Sequence, residues 1–181
     1  MDEFERKVGG WERGGAEGRL GPRRVDMSGS LDPVRLADEA LSLNLSRMRW
    51  RLLPELELSR MSRLRCLLFG AGTLGSNVAR CLLGWGVRHL SLVDSGRVSY
   101  SNPPRQSLFQ HDDCLGGGKP KAEAAAAALL RILPSATVAA HQLRAPMPGH
   151  PVDPSREAEA ESAYQKIDEL VQEHDVVFLR M

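Results

Sequence analysis

A glycine-rich loop between an apolar run and a helix-forming stretch limits the fold of this chain more than any other feature. The loop, GAGTLG, occupies residues 70–75 and follows the short apolar run RCLLF. At this spacing Gly70 permits a tight turn, Gly72 lets a phosphate approach the backbone, and Gly75 allows a helix to pack closely on a strand. We therefore predict a buried strand, a phosphate-binding turn and a helix, in that order.

The order of strand and helix repeats along the chain. The predicted strands cover residues 65–69, 88–93, 137–142 and 175–179, and the predicted helices cover residues 73–83, 120–133 and 156–173. Strands that alternate with helices form a parallel sheet with right-handed crossovers. The sequence therefore predicts an α/β fold with a doubly wound, mostly parallel sheet.

The first 30 residues differ in composition from the rest of the chain. They contain seven glycines, six acidic and six basic residues and few large apolar side chains. Such a mixture buries too little surface to offset the entropy of the chain. We predict a disordered arm over residues 1–30 and a single domain over residues 31–181.

A helix is expected where the arm ends. Order should begin at Leu31, because Asp32 can cap a helix and Pro33 suits the first helical position. The helical pattern continues to about Leu52, and Pro54 ends it.

Charge and hydropathy exclude several classes of partner. The chain has 24 Lys and Arg against 23 Asp and Glu, a net charge of +1, so bulk charge does not predict binding to nucleic acid. No stretch reaches the roughly 18 apolar residues of a membrane span, so no membrane insertion is expected. The expected location is cytoplasmic.

The three cysteines suggest neither a disulfide framework nor a zinc site. They form no CxxC pair, which fits a reducing compartment. Cys66 falls in the first predicted strand and Cys81 in the helix after it, so both are predicted to be buried. Cys114 lies in a loop. None has the sequence context of an activated nucleophile.

An acidic residue at the end of the second predicted strand completes a nucleotide-binding pattern. Asp94 follows Gly75 by about 20 residues, where a carboxylate can accept hydrogen bonds from ribose hydroxyls. Glycines that only shape a turn are the alternative, and the strand, the helix and Asp94 together weigh against it. NAD and ATP both remain open at this point, because dehydrogenases share these features.

Polar residues in the following loop favour ATP over NAD. Asn102, Arg105 and Gln106 lie between the second strand and the next helix, and Lys119 stands at the start of that helix. ATP carries about four negative charges, which arginine can bind through paired N–H groups and lysine as a point charge. Lys121 is predicted to be a surface residue.

The motif DxxxVxxSNxxRQ, preceded by GxGxxG and followed by GK, resembles the E1/ThiF/MoeB family of adenylating enzymes. The resemblance implies a Rossmann-like fold of the ThiF type. It also implies that Asp94 holds ribose and that Asn102, Arg105, Gln106 and Lys119 bind the phosphates and ribose of ATP. Arg105 and Lys119 are the implied catalytic residues, and Mg²⁺ is implied with ATP.

The segments VSYSNPPRQSLFQ, DCLGGGKPKA and LLFGAGTLGSNVAR resemble the autophagy branch of that family. The branch implies ATP-dependent adenylation of the C-terminal glycine of ubiquitin-like modifiers of the autophagy-related protein 8 and 12 types. A thioester on a cysteine and transfer to E2-like enzymes follow. It also implies a homodimer, a role in protein transport, and action in the cytoplasm, including the preautophagosomal structure.

The family resemblance suggests one arginine that acts across a dimer. Related dimers reach an arginine from the N-terminal helix into the partner's ATP site. Arg51 is the candidate in this chain, and Arg47 and Arg49 compete with it.

Two residues of the family's chemistry are expected beyond Met181: the thioester cysteine and a magnesium-binding aspartate. Arg180 also departs from the apolar residue expected in the last strand. The sheet is therefore predicted to be incomplete at its C-terminal end. A non-catalytic truncated form that binds nucleotide or dimerises is the alternative function. An NAD-dependent oxidoreductase is disfavoured, because the chain shows no hydride-site signature such as Tyr-xxx-Lys.

Some remaining residues receive structural interpretations. His111, Asp112 and Asp113 are predicted to form a solvated acidic turn and not a metal cluster. Trp50 and Trp85 are predicted to be core or interface aromatics and not base-stacking groups.

Overall fold

A computed structural model describes residues 7–14, 19–145 and 157–179. Its strands are β1 Lys7–Gly14, β2 Arg19–Asp26, β3 Arg65–Phe69, β4 His89–Val93, β5 Thr137–His141 and β6 Val176–Leu179. Its helices are α1 Pro33–Leu52, α2 Leu58–Arg63, α3 Thr73–Gly84, α4 Lys121–Ile132 and α5 Glu157–Glu173, and His111–Cys114 form a 3-10 turn. No helix in these ranges is long and apolar enough to cross a membrane.

Four of the strands form one parallel sheet in the order β5-β4-β3-β6. Cys66 of β3 lies opposite Leu90 of β4 on one side and Val176 of β6 on the other. The order along the sheet reverses between β3 and β6, and ligands of open α/β sheets bind at the carboxyl ends of the strands next to such a reversal. The glycine loop follows β3 at that edge.

Helices cover both faces of the sheet, which confirms the doubly wound α/β prediction. Alternate residues of β3 enter different cores: Cys66 and Leu68 join the cluster that contains residues of α3 and α4, whereas Leu67 and Phe69 join the cluster that contains Leu170 of α5. All four side chains are buried, as expected for a strand in the middle of a covered parallel sheet.

Helix α1 is fixed to the amino-terminal end of the sheet. Asp32 caps its start by accepting hydrogen bonds from the backbone N–H groups of Val34 and Arg35, as the sequence predicts. Further along, Oδ1 of Asp38 accepts from Nε of Arg88 at 2.8 Å and from Oγ of Ser135 at 2.9 Å. This polar cluster ties α1 to the start of β4 and to the turn before β5, on the end of the sheet opposite the glycine loop.

Within the predicted arm, the described residues 7–14 and 19–26 pair as a two-stranded antiparallel hairpin of β1 and β2. Trp11 stands opposite Pro22, and Glu12 accepts a hydrogen bond from Arg23 at 2.7 Å. The side chain of Trp11 is exposed, so the hairpin is held by its backbone ladder and cross-strand pairs, without the buried core that composition argues against. Residues 1–6 and Arg180 lie outside the described residues.

Candidate nucleotide-binding site

The glycine loop forms the turn that the sequence predicts. Gly70 has a φ of +95°, and its N–H donates to the carbonyl oxygen of Val93 at 2.7 Å. A Cβ on Gly75 would lie 1.8 Å from the carbonyl oxygen of Gly70, so only glycine permits this approach of α3 to the turn. A Cβ on Gly72 would meet nothing within 4 Å, which leaves open space beside the backbone at the start of α3. That space and the unpaired N–H groups of the first helical turn suit a phosphate.

Asp94 joins the glycine loop to the end of β4. Its Oδ2 accepts a hydrogen bond from the N–H of Ala71 at 2.7 Å, and its Oδ1 accepts one from the N–H of Gly96 at 2.7 Å. A carboxylate has about four acceptor positions, so both oxygens can still accept from hydroxyl groups. The structure therefore adds a scaffolding role to the ribose-binding role that the sequence predicts.

Arg105 reaches from the loop after β4 to the first residue of α3. Its Nη1 donates to Oγ1 of Thr73 at 3.0 Å. No carboxylate pairs with Arg105 within the described ranges, so most of its five N–H groups remain available to an anion. The guanidinium thus lies at the helix start that the glycine loop creates.

Asn102 and Gln106 are both buried below the Arg105 turn. The carbonyl oxygen of Asn102 accepts from the N–H groups of Arg105 and Gln106, and its side-chain Oδ1 accepts from the N–H of Ser99 at 3.1 Å. Asn102 therefore shapes the turn. Oε1 of Gln106 is buried and lacks a hydrogen-bond partner in the described part of the chain. A buried acceptor without a partner is costly, and a donor that reached Gln106 would remove that cost.

Lys119 is held by Asp113. Its Nζ donates to Oδ1 of Asp113 at 2.8 Å, and its backbone N–H donates to the carbonyl oxygen of Asp113 at 2.8 Å. The three glycines before it all have positive φ, at 62°, 86° and 76° for Gly116, Gly117 and Gly118. This left-handed run brings the chain back so that Lys119 closes onto Asp113.

The prediction of a solvated acidic turn at residues 111–113 is wrong for Asp113. His111 and Asp112 are exposed, but Asp113 is buried. Burial alone would raise the pKa of Asp113. The hydrogen bonds from Lys119 and the N–H of Gln110, with the charges of Lys119 and Arg131, outweigh burial and hold that pKa below its usual value. Asp113 is therefore an ionised group that organises the loop.

Lys121, predicted to be a surface residue, is half-buried beside Asp94. Its Cδ and Cε lie 3.5 and 3.8 Å from the position that a Cβ on Gly96 would occupy, and Oδ1 of Asp94 lies 3.0 Å from that same position. The N–H of Lys121 donates to the carbonyl oxygen of Gly96. The ammonium of Lys119 uses one of its three donors on Asp113, and Lys121 is a further candidate cation at this edge. The sequence feature that could have indicated this role is the position of Lys121 at the start of a helix, where a cation can meet a ligand at this edge of the sheet.

The sequence profile of the ThiF family matches residues 44–181. This chain belongs to the ThiF family. The match to a ThiF domain confirms the resemblance drawn from the glycine loop and the SNxxRQ segment.

Relatives of this ThiF-family chain carry more specific names. The chain is 50% identical over 177 residues to the human ubiquitin-like modifier-activating enzyme ATG7, a match that covers 97% of this chain and 25% of the relative. It is 53% identical over 178 residues to ATG7 of Komagataella pastoris, covering 98% of this chain and 27% of the relative. The chain therefore spans about a quarter of the length of the curated relatives it matches.

A solved structure shares the fold. TcdA (CsdL) superposes with a TM-score of 0.51 over 72% of this chain and 46% of that chain, at 24% sequence identity. At this level of identity the likeness shows a common ThiF-type α/β fold and nothing more specific.

The cysteines of this ThiF domain follow the sequence prediction only in part. Cys66 is buried, as predicted, and burial, together with the charge of Asp175, raises the pKa of its thiol. Cys81 is exposed, so its predicted burial is wrong. Helix α3 buries Gly75, Ser76, Ala79 and Leu83, and Cys81 lies on the opposite side of the helix.

The two tryptophans in the described ranges of the ThiF domain are not core residues. The side chain of Trp50 is 76% exposed at the end of α1, so Trp50 is not a core residue. Its place in an interface stays a prediction. Trp85, at the end of α3, is half-buried.

Asp113 gives the stability of the ThiF domain a pH dependence. A group whose pKa is lowered by folding stabilises the fold above its unfolded pKa and loses that effect as the pH falls through its folded pKa. We expect Asp113→Asn to reduce the unfolding free energy at pH 7 by about 1 kcal/mol, a discounted value because Lys119 is half-exposed. The difference from wild type should shrink as the pH falls below 3.8, the usual pKa of Asp113.

Urea unfolding at pH 7, 5 and 3 measures this difference. Asp112→Asn, one residue earlier and exposed, is the matched control and should change the unfolding free energy little. A difference between Asp113→Asn and wild type that stayed constant down to pH 3 would contradict the role assigned to the ionised carboxylate.

Proposed function

We propose that this chain supplies the ATP-binding part of an E1-like enzyme that adenylates the C-terminal glycine of autophagy ubiquitin-like modifiers. The observation that carries the proposal is the arginine at the phosphate turn: Nη1 of Arg105 is bound to Thr73 at the start of α3, beside the open space at Gly72. A dinucleotide needs little positive charge at this place, whereas a triphosphate needs several donors. The names of the relatives support the choice of modifier.

The residues present fit ATP. Asp94 lies at the end of β4 with lone pairs for ribose hydroxyls, and Gln106 offers a buried acceptor that has no partner within the described residues. Arg105, Lys119 and Lys121 are the candidate phosphate ligands, and Lys119 also keeps the start of α4 in place through Asp113. Bound ATP would supply the α-phosphorus that an oxygen of the glycine carboxylate attacks, giving an acyl-adenylate and releasing pyrophosphate.

The chain's own groups act by orientation and charge. Arg105 offers N–H groups in a plane that matches two phosphate oxygens, and the start of α3 adds backbone N–H groups and a partial positive charge. Donors that are fixed before the ligand arrives need no reorganisation when negative charge develops, which is the main source of electrostatic catalysis. The hydrogen bond to Thr73 is such a fixation.

The proposal includes Mg²⁺ because members of this family bind ATP together with Mg²⁺. No group of three or more His, Cys, Asp or Glu side chains that could hold a metal occurs in the part of the chain that the structure describes. We therefore assign no step of the reaction to a metal ion held by these residues.

The proposal includes a homodimer that acts in the cytoplasm, including the preautophagosomal structure, and hands the modifier to E2-like enzymes. The exposed end of α1 supports the dimer. Arg49 and Arg51 lie in its last turn. The side chains of Arg47, Arg49 and Arg51 are exposed, and so is that of Trp50. Arg51 remains the candidate to act in the partner's site.

A second candidate function is nucleotide binding without turnover. Cys66 and Cys114 are buried and Cys81 lies on the outer side of α3, so none of the three stands at the nucleotide edge as an activated thiol. Pyrophosphate exchange separates the two candidates, because it reports adenylation and does not require a cysteine.

ATP binding by the 181-residue chain is the first test of the proposal. Arg105→Ala should weaken ATP binding about 10- to 100-fold, the usual range for hydrogen bonds to a charged partner. Arg63→Ala, at an exposed position at the end of α2 next to the amino-terminal end of β3, removes the same charge at the opposite end of the sheet and should leave affinity unchanged. Equal affinities for wild type and Arg105→Ala in calorimetric titrations would refute the assignment of this edge to ATP phosphates.

Exchange of labelled pyrophosphate into ATP, stimulated by a ubiquitin-like protein with a C-terminal glycine, is the second test. A signal that Arg105→Ala abolishes supports adenylation. ATP binding without exchange supports the second candidate.

A further inference from the structure

Four residues are linked by hydrogen bonds that join the loop after β4 to the first turn of α3. Nη1 of Arg105 donates to Oγ1 of Thr73 at 3.0 Å, Nδ2 of Asn77 donates to the carbonyl oxygen of Thr73 at 2.9 Å, and Oγ of Ser107 donates to Oδ1 of Asn77 at 3.0 Å. We call this set, Thr73, Asn77, Arg105 and Ser107, the loop–helix clasp. It closes the loop onto the helix at two points.

The spacing of the clasp explains its geometry. Thr73 and Asn77 are four residues apart in a helix and so lie on one face, one above the other. Arg105 and Ser107 are two residues apart in the loop, and each meets one of these helix residues. Two neighbouring attachments restrict the direction of the loop more strongly than either would alone.

The clasp acts on a side chain that would otherwise be free. Arg105 is exposed and lacks a carboxylate partner within the described ranges, so its long side chain would sample many rotamers. A ligand that had to order such a side chain would bind more weakly, and a side chain already held in place removes that cost. One N–H group of Arg105 is used for holding, which leaves the others for an anion.

We propose that Thr73 is a positioning residue for phosphate binding: its hydroxyl holds the guanidinium of Arg105 over the start of α3 before ATP arrives, and Asn77 and Ser107 brace the loop. The inference rests on the proposed function, because it assigns to Arg105 a phosphate partner. It adds a role for three residues that the motif GxGxxG and the SNxxRQ segment do not specify.

Thr73→Val tests the hydroxyl at constant shape. We expect ATP affinity of the 181-residue chain to fall about five-fold, as for loss of one positioning hydrogen bond. Thr73→Ser keeps the oxygen and should restore affinity to within about two-fold of wild type. Ser107→Ala should have a smaller effect than Thr73→Val, because it loosens only the brace. Thermal melting without ATP verifies that each variant is folded.

A double-mutant cycle separates positioning from a general structural effect. In an Arg105→Ala background, Thr73→Val should leave ATP affinity unchanged, since its target is gone. A threonine that only stabilised α3 would weaken binding equally in both backgrounds. Nitrogen-15 relaxation of the Arg105 side chain without ATP gives a direct readout: the guanidinium should be ordered in wild type and in Thr73→Ser, and mobile in Thr73→Val.

The outcomes distinguish this inference from the proposed function. If Arg105→Ala weakens ATP binding but Thr73→Val does not, or if Arg105 is equally mobile in both proteins, the clasp has no positioning role and the ATP site stands. If wild type binds no ATP, both proposals fall together. A five-fold loss in Thr73→Val that disappears in the Arg105→Ala background establishes the positioning role.

Discussion

Replacing Gly118 with alanine is expected to lower the unfolding free energy by about 4 kcal/mol. The backbone there has a φ of +76°, which costs an alanine about 1–2 kcal/mol. The new Cβ would also lie 2.0 Å from the carbonyl oxygen of Val98, so the backbone must shift, and overpacking of this kind adds about 1–3 kcal/mol. The N–H of Val98 bonds the carbonyl oxygen of Lys119, so the shift would also displace the start of α4.

Gly117→Ala is the matched control for this prediction. Gly117 has a φ of +86°, but a Cβ there would meet nothing within 4 Å. Only the cost of the left-handed backbone remains, about 1–2 kcal/mol. Denaturant unfolding of both variants measures the difference. Equal losses at the two positions would show that the approach to Val98 does not limit the loop.

Gly75→Ala is expected to cost about 3 kcal/mol of stability, because its Cβ would overlap a backbone atom, the carbonyl oxygen of Gly70 at 1.8 Å. Backbone cannot move aside as a flexible side chain can. Helix α3 must therefore retreat from the turn, and the N–H groups at its start move with it. Both the unfolding midpoint and ATP affinity should fall.

Gly72→Ala tests whether the open space beside Gly72 is needed for ligand binding and not for the packing of the fold. Its backbone has a negative φ of −74°, and a Cβ meets nothing within 4 Å, so stability should stay within about 0.5 kcal/mol of wild type. The methyl group would occupy the space beside the start of α3, and ATP affinity should still fall. A Gly72→Ala chain that binds ATP as tightly as wild type would show that the nucleotide does not approach the turn here.

The strands and helices of the ThiF domain could be read from the sequence because each carries a local signal. After the exposed Arg65, the run CLLF of β3 is apolar throughout because β3 is covered on both faces, and Asp32 with Pro33 marks the start of α1. The short helix α2, of six residues, lies below the length at which helical periodicity can be recognised. The strands β1 and β2 lack the alternation of apolar and polar residues that is typical of a strand, so their composition predicts disorder.

Less of the site could be predicted. The glycine loop and Asp94 follow a spacing rule, but the pairing of Lys119 with Asp113 depends on a left-handed glycine run that no residue pattern specifies in three dimensions. The same holds for Lys121, whose place beside Asp94 becomes visible only when residues 96–98 and 119–121 are seen to pair. The roles of Asp94, Asn102, Arg105, Gln106 and Lys119 in binding ATP remain predictions.

The position of β6 has a consequence for the order in which the chain folds. β3 pairs with β4 after one short helix, whereas its other neighbour β6 arrives from far along the chain: the N–H of Arg65 bonds Oδ2 of Asp175, 110 residues away. Contacts at such sequence separation form slowly, because the chain must lose loop-closure entropy before the stabilising contacts can form. During synthesis β3, α3 and β4 can assemble first, and the sheet edge between β3 and β6 forms only when β6 docks.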